Sequence, residues 1–188
     1  MLSKGEKTLI RRMEREDVDA MVTWPPYEDP LLKDYSFPQF THGERDVWYG
    51  IKNSGLKKCF TVLTISGEVI GYISLRNVNI FSKKAEMGIV FSPKYVDAGY
   101  GRDAIKAFLD YYFNGMKYKK LVLRVAAFNR RAYRCYLACG FKYVDKSYMK
   151  VNIKKSDIPK DEEFKREKVF IKRGDKIKAL FYRMEIST

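Results

Sequence analysis

Six consecutive residues, Gly99-Tyr100-Gly101-Arg102-Asp103-Ala104, are the first whose types and spacing suggest chemistry. They lie between an apolar run ending at Phe91 and a helical pattern beginning at Arg102. Glycines let the backbone come close to a ligand, and the free N–H groups of a helix start favour negative charge. The chemistry such a turn can do is to hold a phosphate or pyrophosphate. The same residues satisfy the dinucleotide fingerprint G-x-G-x-x-A, which also wants an acidic residue about 20 positions on. Lys119, Lys120 and Leu121 stand there instead, and about half of the chain precedes the turn. A nicotinamide dinucleotide is therefore disfavoured. Taken alone, the stretch is most simply a tight turn and helix cap with no ligand.

A second signal follows at a suitable distance: Asn129-x-x-Ala132-x-x-x-Tyr136-x-x-x-Gly140-Phe141. With it, the stretch Ala85–Phe141 resembles the GNAT superfamily of N-acetyltransferases, which transfer an acetyl group from acetyl-CoA to an amine. The family pattern runs strand, Q/R-x-x-G-x-G/A, helix, strand, and then this Asn-to-Phe motif. One departure stands out, because the family's first Gln or Arg falls on Val96, followed by Asp97 and Ala98. Asp97 adds negative charge near the phosphates, which Arg102 and the helix start can offset. The whole chain, 1–188, is expected to be one such domain, with its core motif at 85–141 and an elaboration at 142–188. Within the superfamily it is closest in feel to the branch acetylating protein N-termini, ribosomal proteins included, or small amines. A protein N-terminus or lysine is slightly preferred as acceptor.

The resemblance implies roles for particular residues. The loop Ala98, Gly99, Tyr100, Gly101, Arg102 and Asp103 would hold the pyrophosphate, mainly through main-chain N–H groups. Main-chain groups of Ile89, Val90 and Phe91 would hold the pantetheine arm, one N–H polarising the thioester carbonyl. The reaction poses three problems: the amine must be neutral to attack, the carbonyl gains negative charge, and the CoA thiolate must leave. Glu86 matches a general base, with a pKa raised by partial burial; a structural carboxylate is the alternative. Tyr136 matches the tyrosine that protonates the departing sulfur, or else is a core tyrosine on the stripe of Ala132. Asn129 serves as a helix N-cap, a CoA contact, or both. The segment between the first two helices is where the family forms its acceptor site. Glu28 and Asp29, with Asp34, are candidates to attract an ammonium group, and Trp24, Tyr27 and Tyr35, with Phe37, to wall the pocket. An ordinary packed loop with solvent-facing acids fits this segment equally well.

The elements that must position these residues follow from apolar spacing. Ala85–Phe91 reads as a strand stopped by Pro93, Arg102–Asn114 as a helix, Leu121–Ala126 as a strand, and Asn129–Cys139 as a helix ended by Gly140. Upstream, Leu9–Met13 reads as a first strand. A helix with an acidic start at Glu14 runs to about Trp24, where Pro25 and Pro26 end it. A second helix spans Glu44–Lys52 with Val47, Trp48 and Ile51 on one face. Phe60–Ile65 and Val69–Val78 are strands joined at Ser66-Gly67, a hairpin signal. Downstream, Lys142–Ile153 is a long strand, the polar stretch 154–168 an insertion or short helix, and Val169–Lys172 and Ile177–Ile186 a hairpin about Arg173-Gly174-Asp175-Lys176. The C-terminal region could cover the acceptor site or make a homodimer contact. The class is α/β: a GNAT fold with a mixed central sheet of about seven strands and about four helices.

Composition bounds the remaining possibilities. With 188 residues, 46% hydrophobic and 32% charged, the chain can bury a sizeable core and reads as soluble. No signal peptide or long apolar span is visible, so a cytoplasmic protein without membrane contact is expected. Three cysteines have no framework spacing and one histidine cannot build a metal site, so no metal is expected. The net charge of +14, from 37 basic and 23 acidic residues, is spread in short clusters without a nucleic-acid motif. A solvated lysine-rich surface is preferred over a nucleic-acid site, and such a surface also attracts an anionic cofactor such as CoA.

Overall fold

Apolar residues alternate or run continuously through most predicted strands, and these runs assemble into one mixed sheet flanked by helices. The computed structural model describes residues 1–174 and 176–188. In chain order its elements are β1 (Ser3–Lys4), β2 (Thr8–Arg12), α1 (Arg15–Met21), α2 (His42–Lys52), β3 (Lys58–Thr64), β4 (Val69–Asn79), β5 (Lys84–Phe91), α3 (Tyr100–Asp110), β6 (Lys120–Ala126), α4 (Arg130–Ala138), β7 (Lys142–Lys150), α5 (Glu162–Arg166), β8 (Phe170–Arg173) and β9 (Lys176–Ser187). Among the described residues there are thus nine strands and five helices; the two-residue β1 was not expected, β8 falls on the expected strand Val169–Lys172, and α5 is the short helix that the stretch 154–168 allowed. The spatial order is β1-β2-β3-β4-β5-β6-β9-β7, with β8 on β9.

All pairings are antiparallel except β5 with β6, which the α3 crossover makes parallel. That exception creates the site. β5 stays paired with β4 as far as Phe91, opposite Gly71. Its pairing with β6 covers only Lys84–Met87 against Lys120–Leu123. β6 meanwhile follows β9 to Ala126, opposite Phe181. Beyond Met87 the two parallel strands therefore part, and the edge of β5 facing β6 is left open.

Helices hold the sheet on both faces. α3 buries Ala104, Ile105, Phe108 and Leu109 against Ile10, Phe60, Ile73 and Leu75, and the Phe60 and Phe108 ring centroids lie 5.2 Å apart. α1 buries Val18 and Met21 on the other face, beside Trp24, Phe37 and Tyr72. Its Asp17 caps Glu14, receives Arg11 at 2.6 and 2.7 Å, and accepts from Thr61 at 2.6 Å, so this buried carboxylate is fully satisfied. On α2 only Trp48 of the expected apolar face turns inward; Val47 and Ile51 are 62% and 56% exposed. The helix is short of neighbours on that side, which the apolar spacing alone did not reveal.

In the C-terminal region β7 ends at Lys150, three residues before the expected Ile153. β9 inserts between β6 and β7 instead of extending the edge. β8 and β9 pair from Arg173 opposite Lys176; Asp175 of the expected turn lies outside the described residues. Ala127, Val169 and Leu180 form a small core of their own beneath this region.

Candidate active site

Where β5 leaves β6, a cavity of about 710 Å³ opens between the strands and runs to the glycine turn. The ladder decides which main-chain groups face it. Ser92 N–H bonds Ile70 O, and bonding alternates along an antiparallel pair, so Val90 and Gly88 point their polar groups at β4. Ile89 and Phe91 point theirs into the gap. Of the three residues expected to present main-chain groups, Val90 is thus corrected: it lines the cavity, but its backbone N–H and C=O are engaged with β4. Phe91 O accepts from the Tyr27 hydroxyl at 3.1 Å.

The glycine turn stands at one end. Gly99 has φ +85°, a left-handed conformation that glycine adopts freely, and caps α3. The first N–H groups of α3 have no intrahelical acceptor. Gly101 and Arg102 line the cavity with Gly99, whereas the Ala98 and Tyr100 side chains do not. Asp97 pairs with Arg131 at 3.2 Å, so its charge is offset by a residue of α4 and not, as expected, by Arg102. Asp103 is also corrected. Its N–H bonds Gly99 O at 3.2 Å, and its carboxylate accepts from Glu6 N, Lys7 N and Thr8 Oγ1 at 2.9, 3.0 and 2.6 Å. Burial would raise its pKa, but the Thr8 and backbone hydrogen bonds outweigh it and hold the carboxyl below its usual range. Neither donor nor charge of Asp103 is left for a ligand. What it does instead is anchor the β1–β2 turn, which brings Lys7 Nζ to within 3.1 Å of Ala98 O. Lys7 was not recognisable from sequence, because nothing local ties residue 7 to residue 98.

Tyr136 forms part of the cavity wall and is 8% exposed. Burial, followed by the neighbouring Tyr35 and cysteines, pushes its pKa up, so the hydroxyl keeps its proton at neutral pH. Tyr35 lines the cavity too, and its pKa is raised mainly by burial. Asn129 caps α4, accepting from Ala132 N at 3.1 Å, and also lines the cavity. Beside them the Cys135 thiol, hydrogen-bonded to Cys139 and near Arg102 and Arg131, is held below the ordinary cysteine value.

Glu86 departs from expectation. Its side chain is 7% exposed. Burial would raise the pKa, but hydrogen bonds from Arg76 and Asn77 and the charges of Arg76 and Arg124 prevail and lower it. Arg76 reaches Oε1 at 2.7 Å, while Asn77 and Arg124 reach Oε2 at 2.9 and 3.2 Å. It does not line the main cavity but a smaller one of about 370 Å³. A carboxylate so committed is a poor proton acceptor, and the raised pKa expected of a base is reversed.

The expected acceptor residues divide. Tyr27 and Tyr35 reach the cavity. Trp24 is buried with Phe37 and Tyr72, its Nε1 donating to Val69 O at 3.2 Å. Glu28 is exposed and does not line the cavity, and Asp29 accepts from Leu31 N at 2.9 Å in a local turn. Asp34 accepts from Asn152 N at 3.2 Å. Residues that do line the cavity, and that sequence reasoning passed over, are Lys52, Arg76, Arg124, Arg131 and Arg134. Their charges lie on four separate elements, α2, β4, β6 and α4, and form no motif.

The site is thus a cavity where two parallel strands part, with a glycine-capped helix start at its end. The family profile "Acetyltransferase (GNAT) domain" matches residues 7–142, and the chain belongs to that family. Among curated proteins, spermidine N(1)-acetyltransferase of Vibrio cholerae is 33% identical over 82 residues, 44% of this chain and 47% of that one. Its Escherichia coli K12 counterpart is 34% identical over 80 residues, 43% of each chain. The chain thus spans about half the length of the curated relatives it matches. Among solved structures, a Bacillus anthracis acetyltransferase (GNAT family) has TM-score 0.69 at 23% identity, covering 100% of this chain and 98% of its own. The Vibrio cholerae spermidine N-acetyltransferase in complex with CoA and spermine has TM-score 0.67 at 20% identity, covering 96% and 95%. The curated relatives and the Vibrio cholerae structure bear the name of a spermidine acetyltransferase, not of the protein N-terminus branch expected from sequence. Among the described residues no helix is long and apolar enough to cross a membrane, and no cluster of three or more potential ligands is arranged for a metal.

Proposed function

We propose that the protein is an acetyl-CoA-dependent N-acetyltransferase acting on a primary amine, without a metal. The observation that carries this is the open edge of β5, where Ile89 and Phe91 turn main-chain groups into a cavity ending at a glycine-capped helix start. Acetyl-CoA supplies the activated acetyl group. The N–H groups opening α3, with Arg102, Arg131 and Arg134, suit its phosphates. The Ile89 and Phe91 main chain suits its amide-bearing arm, and an N–H there opposes the charge that grows on the carbonyl oxygen. Tyr136, kept protonated by burial, gives its proton to the departing sulfur. Glu86 is ionised and bound by arginines, so we assign the amine's proton to water in the open cavity.

The acceptor is the finer question. Spermidine is what the relatives' names suggest, and a protein amine is what the sequence motif suggested. Asp97 is the only carboxylate in the cavity lining among the described residues, and it is paired. This supports neither a polyamine nor a basic peptide. A cytoplasmic setting suits an enzyme drawing on acetyl-CoA.

Replacing Tyr136 by Phe tests the reading. Turnover, followed by thiol release, is expected to fall about 100-fold, in the range for loss of a general acid, with acetyl-CoA affinity kept. Unchanged turnover would remove Tyr136 from the mechanism. Acetyl-CoA binding with no turnover on any amine would favour a non-catalytic CoA-binding scaffold.

A further inference from the structure

The end of the cavity away from the glycine turn is cationic. Arg76 on β4 pairs across from Glu86 on β5. Arg124, two residues beyond the partner of Glu86 on β6, shares that sheet face. Two guanidiniums share one carboxylate, so the group carries a net positive charge. Their side chains are 54% and 38% exposed, against 7% for Glu86. Glu86 is therefore the underside of the group: it fixes both guanidiniums and leaves their outer N–H groups toward the cavity that both arginines line. Among the described residues the partner of Arg124 Nη1 is the Met149 sulfur, at 4.0 Å, too distant and too weak an acceptor to satisfy it.

Among the described residues six cationic side chains line the cavity against the single carboxylate Asp97. Arg102 belongs to the glycine turn and Arg131 pairs with Asp97 beside it; on the reading above these two, with Arg134 of the same helix as Arg131, serve the CoA phosphates. Lys52, Arg76 and Arg124 remain unaccounted for. A second ammonium of a polyamine would meet like charge there, which selects against such an acceptor.

We propose that the acceptor is a small amine that also bears an oxyanion, carboxylate or phosphate, bound by Arg76 and Arg124. This rests on the acetyltransferase reading and names its substrate class. Glu86 lies three residues back from Ile89, roughly 10 Å at strand rise, so a spacer of a few carbons joins the amine to the oxyanion. In the reaction the amine nitrogen bonds the acetyl carbon and the C–S bond breaks. Of the two protons the ammonium nitrogen loses, one is matched by the proton Tyr136 passes to the sulfur and the other goes to water. The oxyanion is unchanged.

The experiment measures thiol release at fixed acetyl-CoA with 4-aminobutanoate, 6-aminohexanoate and O-phosphoethanolamine, against butylamine, hexylamine, ethanolamine and spermidine. At least one oxyanion-bearing amine is expected to exceed both its uncharged counterpart and spermidine by about tenfold or more in kcat/KM, as hydrogen bonds to a charged group allow. The carboxylate and phosphate arms decide between the two anions. In the R76Q/R124Q double variant that preference collapses toward one, with acetyl-CoA affinity retained. Should that variant not fold, butanoate serves with the unaltered protein: it should inhibit competitively with 4-aminobutanoate and not with acetyl-CoA. Spermidine or a plain alkylamine matching every oxyanion-bearing amine overturns the proposal, as does absence of butanoate inhibition where 4-aminobutanoate is the preferred acceptor. Loss of acetyl-CoA binding itself would instead defeat the transferase reading, and this proposal with it.

Discussion

Glu86 is ionised because Arg76, Asn77 and Arg124 surround it, although it is buried. Its contribution to stability has a definite pH dependence. A carboxylate whose folded pKa is below its ordinary 4.5 stabilises above that value and loses the contribution as pH falls through the folded pKa. Glu86→Gln should therefore cost about 1–2 kcal/mol at neutral pH, because the arginines it leaves behind reach solvent and are not stranded as buried charges. The gap to the unaltered protein should narrow below pH 4.5. Denaturant unfolding at both pH values measures this, and equal stability at neutral pH would contradict it. The residue was legible in the sequence, but the sign of its pKa was not. Arg76 and Arg124 lie 10 and 38 positions away, and only the sheet register brings them to one carboxylate. Tyr136 and Asn129 were more legible, because both sit within one helix whose spacing carries the motif. Even there the sequence left cap and contact undecided for Asn129, which both caps its helix and faces the cavity.

At the scale of elements, the glycine turn depends on a strand far from it. Asp103 ties the β1–β2 turn to α3 through three hydrogen bonds and so holds Lys7 against the loop at Ala98. Asp103→Ala should cost about 2 kcal/mol, given the usual worth of hydrogen bonds to a charged group. It should also weaken acetyl-CoA binding several-fold, by releasing Lys7. Lowered stability with unchanged affinity would show that Lys7 takes no part in binding. Helices and strands between Phe60 and Phe141 were readable because apolar period and turn residues agree there: Gly67 turns the β3–β4 hairpin, and Gly140 ends α4 in a left-handed conformation. The Trp24–Pro38 segment was not readable. Aromatic and acidic residues there serve the core, a local turn and the cavity by turns, and composition does not distinguish these fates. The parting of β5 from β6 left no mark in sequence either, since β5 stays apolar through Phe91 and the one charge in β6 beyond Leu123, Arg124, does not by itself signal lost pairing.

Across the whole molecule, the net charge of +14 gains a local meaning. Spread over the sequence it reads as a solvated surface, but folding gathers six cations around one cavity. Three of them, with the α3 start and the open edge of β5, make the site suited to an anionic cofactor. The central claim is that acetyl-CoA occupies this cavity. It is tested most directly by calorimetric titration of the protein and of Gly101→Glu with acetyl-CoA. Gly101 is the apt position because a Cβ there meets only ordinary contacts, Phe91 at 3.8 Å and Cys135 at 3.9 Å, so the fold should survive while a carboxylate enters the groove. The account predicts one-site micromolar binding to the unaltered protein, displaced by CoA, and weakened at least about tenfold in the variant by the buried like charge. No binding to the unaltered protein, or equal binding to both, would contradict it.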